Sequence, residues 1–592
     1  MAYIQRITPP PNKVLNFSLR NFAGGLNNAS DQPEDNDSTD LMNVMFCDET
    51  LMETRKGQEY FDTINLNSKP VTFIDEFKPY NDVDKLLRAS DTELFIGDTK
   101  VTNISSRING VNHNGRYMFS DGDKLWVYGK FAQTTTTYEK VIGTAINNFV
   151  LLEVVSPADG HPRLDTTHTK GVLNIDYTNY KVFYEPCENE FKDNYKGANK
   201  VPLKAKYIAS HSGRIYVSGS DKDNDNVYIS DIKSPFYFPV SLPMQLPPNS
   251  DKITGMKVYD DAVVVGREND IYTITGNTNR PDMGVEPFKL KKLNSHCGFV
   301  SNNAVTVAHN YLLFLGSDGE FYALSSVRYD EKILSTQPIS KKLNLTKYPI
   351  SLTPIDYKDA YGYFYNNHWY VTIKDKVLIY SYQNRAWTLW KDLNARSFYN
   401  LNGILIWGDD KGRTIKHATN HYDFGKPYKS YWTSKSFDMD DANSFKQFRE
   451  FFLVAHTFAE NRSDVNAIFL VDYEEVEEIT SVLDQVGIWG KMVWGARFIR
   501  SNIVASLPFV LGRRGRNIKI RLENGWYITG EVATLSDLES FQKKNNNLVK
   551  VLDINKYYLF TNDEWIEKPY DELNQSMKIY QINGDYEMRG KR

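Results

Sequence analysis

Cysteine is nearly missing from this chain, with three residues in 592, at Cys47, Cys187 and Cys297. An odd number, so widely spaced, provides neither a disulfide framework nor a Cys-x-x-Cys metal pair. No apolar run approaches the roughly 18 residues of a membrane-spanning helix. Met1-Ala-Tyr-Ile-Gln-Arg6 lacks an apolar stretch behind a basic start, so no secretory leader is expected. Charge of one sign is scarce as well: 70 Lys and Arg face 74 Asp and Glu, a formal net charge of −4. That balance argues against a general nucleic-acid coat, though a narrow basic channel inside a ring stays compatible with it.

Catalytic signatures are missing too. There is no GxSxG elbow, HExxH, Walker A loop or phosphate-binding GxGxxG. The ten histidines are scattered singly, apart from His161 with His168 and His417 with His421. Asp221, Asp223 and Asp225 alternate as calcium ligands do, but Asn226 at the sixth loop position and Ile232 at the twelfth exclude an EF-hand. A solvated hairpin tip is the expectation there. Ser120-Asp-Gly and Ser317-Asp-Gly place aspartate directly after serine, as ordinary hairpin turns do, and match no sialidase-type Asp box. We expect no enzyme, no metal and no cofactor.

Aromatic residues are what the chain has in excess, with 38 Tyr and 32 Phe. They fit pleated, half-buried surfaces and favour strands. From about residue 70 to 427 short alternating strands recur across tight polar turns. Examples are Ile253–Tyr259 and Ala262–Gly266 around Asp260-Asp261, and Gly362–Tyr365 and His368–Ile373 around Asn366-Asn367. Hairpins repeating at intervals of roughly 40–50 residues predict the blades of a β-propeller, each unable to bury its own face alone. Six blades are favoured, with five or seven open, and a stack of β-sandwiches satisfies the same hairpins. Residues 134–202 break the rhythm and read as an inserted β-rich subdomain. Residues 428–592 read as an antiparallel β-sandwich with a helical insertion at about 536–547, capped at Ser536, and a last strand at an edge. Residues 1–69 form an amino-terminal clasp and first strands.

The clasp carries the clearest motif. Phe22-Ala-Gly-Gly-Leu-Asn27 precedes an acidic stretch, then Asn43-Val-Met-Phe46, then Arg55-Lys-Gly57. Two adjacent glycines allow positive φ and close backbone approach. The candidate structural residues are Phe22, Gly24, Gly25, Leu26, Asn27, Asn43, Phe46, Arg55 and Gly57. This run resembles the amino-terminal signature of bacteriophage tail nozzle and head–tail connector proteins, in which a GGLN segment leads into N-V-x-F and R-x-G strands. Glu49-Thr50 stands where that family often has glycine. The Trp-x-Ser-Lys-x-Phe run at 432–437 and the Gly-Arg-x-Ile-x-Ile-Arg run at 515–521 are similar to the family's carboxy-terminal part.

The resemblance implies a virion protein, synthesised in the host cytoplasm and assembled as a ring of six or twelve copies. The ring joins other tail proteins and provides a channel for DNA. Arg513, Arg514, Arg516, Lys519 and Arg521 are the candidate basic face, lining that channel or meeting a neighbouring subunit. The alternative is a baseplate or tail-tip protein that binds host surface glycan, with Trp369, Tyr237 and Phe238 stacking on sugar.

Overall fold

The computed structural model describes residues 14–46, all of 51–131 but 81 and 123, and most of 136–589. The longer stretches outside the description are 138–147, 158–170, 187–199, 278–286, 327–333, 457–462, 484–503 and 569–577. The fold is mainly β: a propeller followed by an antiparallel sandwich.

Seven sheets follow one another from Val71 to His417. Their innermost strands are Val71–Phe77, Asn109–His113, Tyr207–His211, Ile253–Tyr259, Val305–Ala308, Tyr361–Tyr365 and Ser397–Leu401. We call these sheets blades one to seven. Left-handed residues make the tight turns that alternation alone requires: Asp260 and Asp261 at φ 47° and 59°, Asn366 and Asn367 at 46° and 61°. Polar side chains join neighbouring blades. Asn112 Nδ2 donates to Glu76 O at 2.8 Å between blades one and two, and Trp369 Nε1 to Thr306 Oγ1 at 3.3 Å between five and six. Ser397 Oγ donates to Val71 O at 2.8 Å, which joins blade seven back to blade one. All seven blades line one central cavity of about 360 Å³, through residues such as Ile74, Gly110, Ala209, Lys257, Thr306, Tyr363 and Tyr399. The count is seven, one more than the six favoured from hairpin spacing.

Two segments explain the miscount. Blade seven takes its outer strand from Gln58–Asn65, which lies before the propeller in sequence and pairs with Arg413–His417. Blade two takes its fourth strand, Asn148–Pro157, from inside the stretch 134–202 expected as an insertion. That stretch is therefore in part the blade itself, extended by Gly171–Asp176 and Lys181–Pro186.

The sandwich is built from both ends of the chain. One sheet holds Val504–Gly515, Phe445–His456, Lys578–Arg589, Met52–Thr54 and Val44–Phe46, with Val14–Leu19 also on Lys578–Arg589. The other holds Gly25–Leu26, Asp37–Met42, Tyr431–Phe437, Ile518–Asn524, Ser463–Val471 and Glu474–Leu483. The last strand is thus internal rather than an edge, because amino-terminal strands cover it. The expected insertion at 536–547 is also different. A small sheet (Tyr527–Val532, Asn547–Val551, Lys556–Thr561, Glu564–Lys568) stands there. Its first two strands are parallel, which demands a crossover. The helix in that crossover is only Leu535–Leu538, and Thr534 caps it with Asp537 rather than Ser536.

One core runs through both domains. Leu313, Phe321, Trp369 and Trp387 of blades five and six pack with Phe22, Leu26, Val44 and Phe46 of the clasp, and with Trp432, Phe451, Ile520 and Ile582 of the sandwich. Deleting residues 1–65 removes strands from both sandwich sheets and from blade seven, leaving unpaired edges. We expect the truncated chain to be insoluble. A soluble product that melts cooperatively in calorimetry would contradict this topology.

Candidate functional site

The motif residues converge on a buried joint between propeller and sandwich. Asn43 lies where the chain crosses from one sandwich sheet to the other, at φ 57°, a conformation asparagine tolerates. Its Oδ1 accepts from Arg55 Nε and from the Lys391 backbone, both at 3.0 Å. Its Nδ2 donates to Lys429 O at 2.7 Å. One amide therefore ties the clasp, the end of blade six and the start of the sandwich.

Arg55 is fully buried beside it. Nη1 and Nη2 donate to the two carboxylate oxygens of Asp423 at 2.9 and 2.6 Å, and Nη1 also to Lys56 O at 3.0 Å. The guanidinium lies 3.8 Å from the centre of the Tyr428 ring. The Tyr428 hydroxyl donates to Arg55 O, which also meets His421 Nδ1 at 2.9 Å. Burial works against the charge, and Asp423, Tyr428 and Asp392 together more than offset it, so the Arg55 pKa is raised. At Gly57 a Cβ would lie 1.8 Å from Tyr422 O, so only glycine fits. His417 packs edge-on against Trp390 and Trp407, at 5.8 and 5.0 Å between ring centres. Burial, and Arg55 nearby, lower its pKa to about 4.

The GGLN turn locks the other side of the clasp. Gly25 has φ +77°, and a Cβ there would sit 2.8 Å from backbone atoms of Trp387. Gly24 packs on Asn36 O in the same way. Phe22 meets Trp432 edge-on at 5.1 Å. Asn27 Nδ2 donates to the fully buried Asp37 at 2.6 Å, and Lys342 of the propeller reaches the other Asp37 oxygen at 2.7 Å.

The five basic candidates are divided between the two sheets, Arg513 and Arg514 on one, Lys519 and Arg521 on the other, with Arg516 in the link between them. Arg513 and Arg514 are exposed at the end of the strand Val504–Gly515 and Arg516 in the short link to the other sheet, the last two over the Phe445 ring at 4.7 and 5.1 Å. Lys519 and Arg521 are half-buried on a sheet face of mixed charge. Arg521 Nε donates to Glu523 at 2.5 Å, its guanidinium covers Tyr431, and Lys435 pairs with Asp35 at 2.5 Å on the adjacent strand. The aromatic candidates for sugar stacking also fail: Trp369 and Phe238 are fully buried, and Tyr237 lies outside the described residues. Asp225 is committed to Arg267 at 2.5 Å, while Asp221 lies outside the description. Among the described residues no group of three metal-ligating side chains occurs. No described helix is long and apolar enough to cross a membrane.

Asp423 and Tyr428 were not singled out in the sequence. The only available signal was chemical: an arginine between apolar strands requires a carboxylate, and Asp423 opens the linker after the last blade.

No family model matches the chain, and no curated protein matches it. Among solved structures it is similar to the Neurospora crassa Pan2 WD40 domain, at 9% identity and TM-score 0.29, over 64% of this chain and 99% of that one. It is also similar to apo AztD from Citrobacter koseri, at 12% identity and TM-score 0.30, over 63% and 97%. A computationally designed protein, Ika8, matches at 9% and 0.31, over 61% and 100%. The propeller assignment rests on the chain's own seven sheets.

Gly25→Val forces a β-branched residue into left-handed backbone against Trp387. We expect loss of folding, read as insoluble expression. Asp423→Asn leaves Arg55 buried without its countercharge and should cost about 3–5 kcal/mol in denaturant unfolding. For His417 the folded pKa lies below the unfolded one, so the unfolded state binds more protons between about 4 and 6.5. Its contribution is complete above pH 6.5 and fades as pH falls toward 4. Melting temperature should drop across that window, less steeply in His417→Phe, which keeps the ring between the tryptophans. Equal slopes would exclude His417 as the source.

Proposed function

We propose that this protein is a structural subunit of a bacteriophage tail, a nozzle or head–tail connector component. In this reading copies of the chain, six or twelve, form a ring that joins other tail proteins and surrounds a DNA channel. The observation that supports it is the joint. The residues that carry the resemblance (Gly25, Asn43, Arg55, Gly57) are those that fix the propeller to the sandwich through one continuous core. A ring subunit needs such rigidity, because symmetric contacts made by a hinged subunit do not close at one angle. The exposed Arg513, Arg514 and Arg516 at this strand end supply cations to a DNA phosphate or an acidic neighbour. The mixed charges around Lys519 and Arg521 suit a subunit contact better than a channel wall.

Native mass spectrometry of the full chain tests the reading, with assemblies at six or twelve times 68.3 kDa expected. Locating the protein in a virion reconstruction gives the second readout, and copies around the tail axis are expected. Trimers at the periphery, or a protein missing from particles, would overturn it. In the ring, glutamine at Arg513, Arg514 and Arg516 should leave assembly intact and weaken DNA retention, with the difference from wild type shrinking at high salt. Failure to form rings assigns these three arginines to the subunit contact instead.

A further inference from the structure

A groove of about 720 Å³ lies between blades five and six, with Gly24 and Leu26 of the clasp on one wall. That volume falls within the range of small-ligand sites. Its lining contains no aspartate or glutamate, although the chain as a whole is acidic. Lys341 and Arg385 are exposed at the groove, and among the described residues neither enters an ion pair. Lys342 also lines it, but its ammonium is held by Glu34 at 3.0 Å and Asp37 at 2.7 Å. Gln337 and Gln383 present exposed amides beside the two cations. The half-buried rings of Tyr311 and Tyr382, 5.7 Å apart and inclined at 60°, line the same groove.

These features select a ligand chemistry. Lys341 and Arg385 carry no ion-pair partner among the described residues, while the carboxylates of Glu34 and Asp37 are taken up by Lys342, and two such cations favour an anion. A primary amide both donates and accepts, which matches sugar hydroxyls; a phosphodiester needs donors only. The two tyrosines pack edge to face, which suits the C–H face of a saccharide better than successive stacked bases, for which open ring faces are required. We propose that the groove binds an acidic saccharide, a chain bearing hexuronic acids. Its carboxylate lies between Lys341 and Arg385, its hydroxyls on Gln337 and Gln383, and a sugar ring against Tyr311 and Tyr382. The site is independent of the ring assembly proposed above and differs from the buried aromatics considered from the sequence.

Isothermal titration of the full chain tests it, with tetragalacturonate and a hyaluronan tetrasaccharide as probes. Methyl-esterified tetragalacturonate and an eight-residue oligothymidylate serve as controls. At least one acidic saccharide should bind with a millimolar or tighter Kd, and esterification should weaken tetragalacturonate if that is the probe that binds. Arg385 has φ 53°, so glutamine replaces it without a β-branched clash. The Lys341→Gln, Arg385→Gln double variant should lose about tenfold or more in affinity, roughly 1.4 kcal/mol, with an unchanged melting temperature. Gln383→Ala should weaken binding less. No heat with either acidic probe at about 10 mM, equal binding of the ester, or wild-type affinity in the double variant would overturn the proposal. Tighter binding of oligothymidylate would also overturn it and make the groove a single-strand site.

Discussion

A guanidinium buried without exposure is tolerable only when its donors are matched, and around Arg55 two passes of the chain supply the partners. Asn43 comes from the clasp, and the linker from the last blade to the sandwich brings Asp423 and then Tyr428. The low local dielectric strengthens each contact, and it makes any single vacancy expensive. Moving either pass by an ångström or two breaks hydrogen bonds to the other. The matched donors hold the linker against the clasp at this point, within the apolar core that joins propeller to sandwich.

The same arrangement makes folding depend on distant partners. Residues 14–19 pair with residues 582–587, and residues 58–65 wait for the last blade. Contacts so far apart in sequence are slow to form, because the whole intervening chain must be ordered first. Blades one to six, whose sheets are local in sequence, can form early. Blade seven and both sandwich sheets close only when the amino-terminal segment is captured.

What was legible in the sequence follows from this division. Alternating strands around Asp260-Asp261 and Asn366-Asn367 announced their hairpins, because period and turn chemistry are local. The closing strand at Gln58–Asn65 was not countable as a blade, since nothing local says that it pairs with Arg413–His417. Asn148–Pro157 was assigned to an insertion because its neighbours in sequence break the rhythm. The motif glycines were recognisable as tight packing positions, whereas their partners, Trp387 and Tyr422, lie more than 350 residues away. The basic run looked like one face because alternation places Lys519 opposite Ile518 and Ile520. It could not reveal that Glu523 and Asp40 stand beside Arg521.

The pairing of Val14–Leu19 with Lys578–Arg589 has a mechanical consequence. Val14 sits opposite Glu587 and Leu19 opposite Ile582, so residues 14 and 587 lie at the same end of the ladder. Tension applied through residues 14 and 589 loads these hydrogen bonds one at a time, as in unzipping, and peels the strands apart at low force. Tension applied between the propeller and the sandwich instead runs along two continuous backbone connections, because Gln58 and His417 face each other at the end of their pair from which both strands lead to the sandwich. The molecule should be compliant when pulled by its ends and stiff when pulled across its waist.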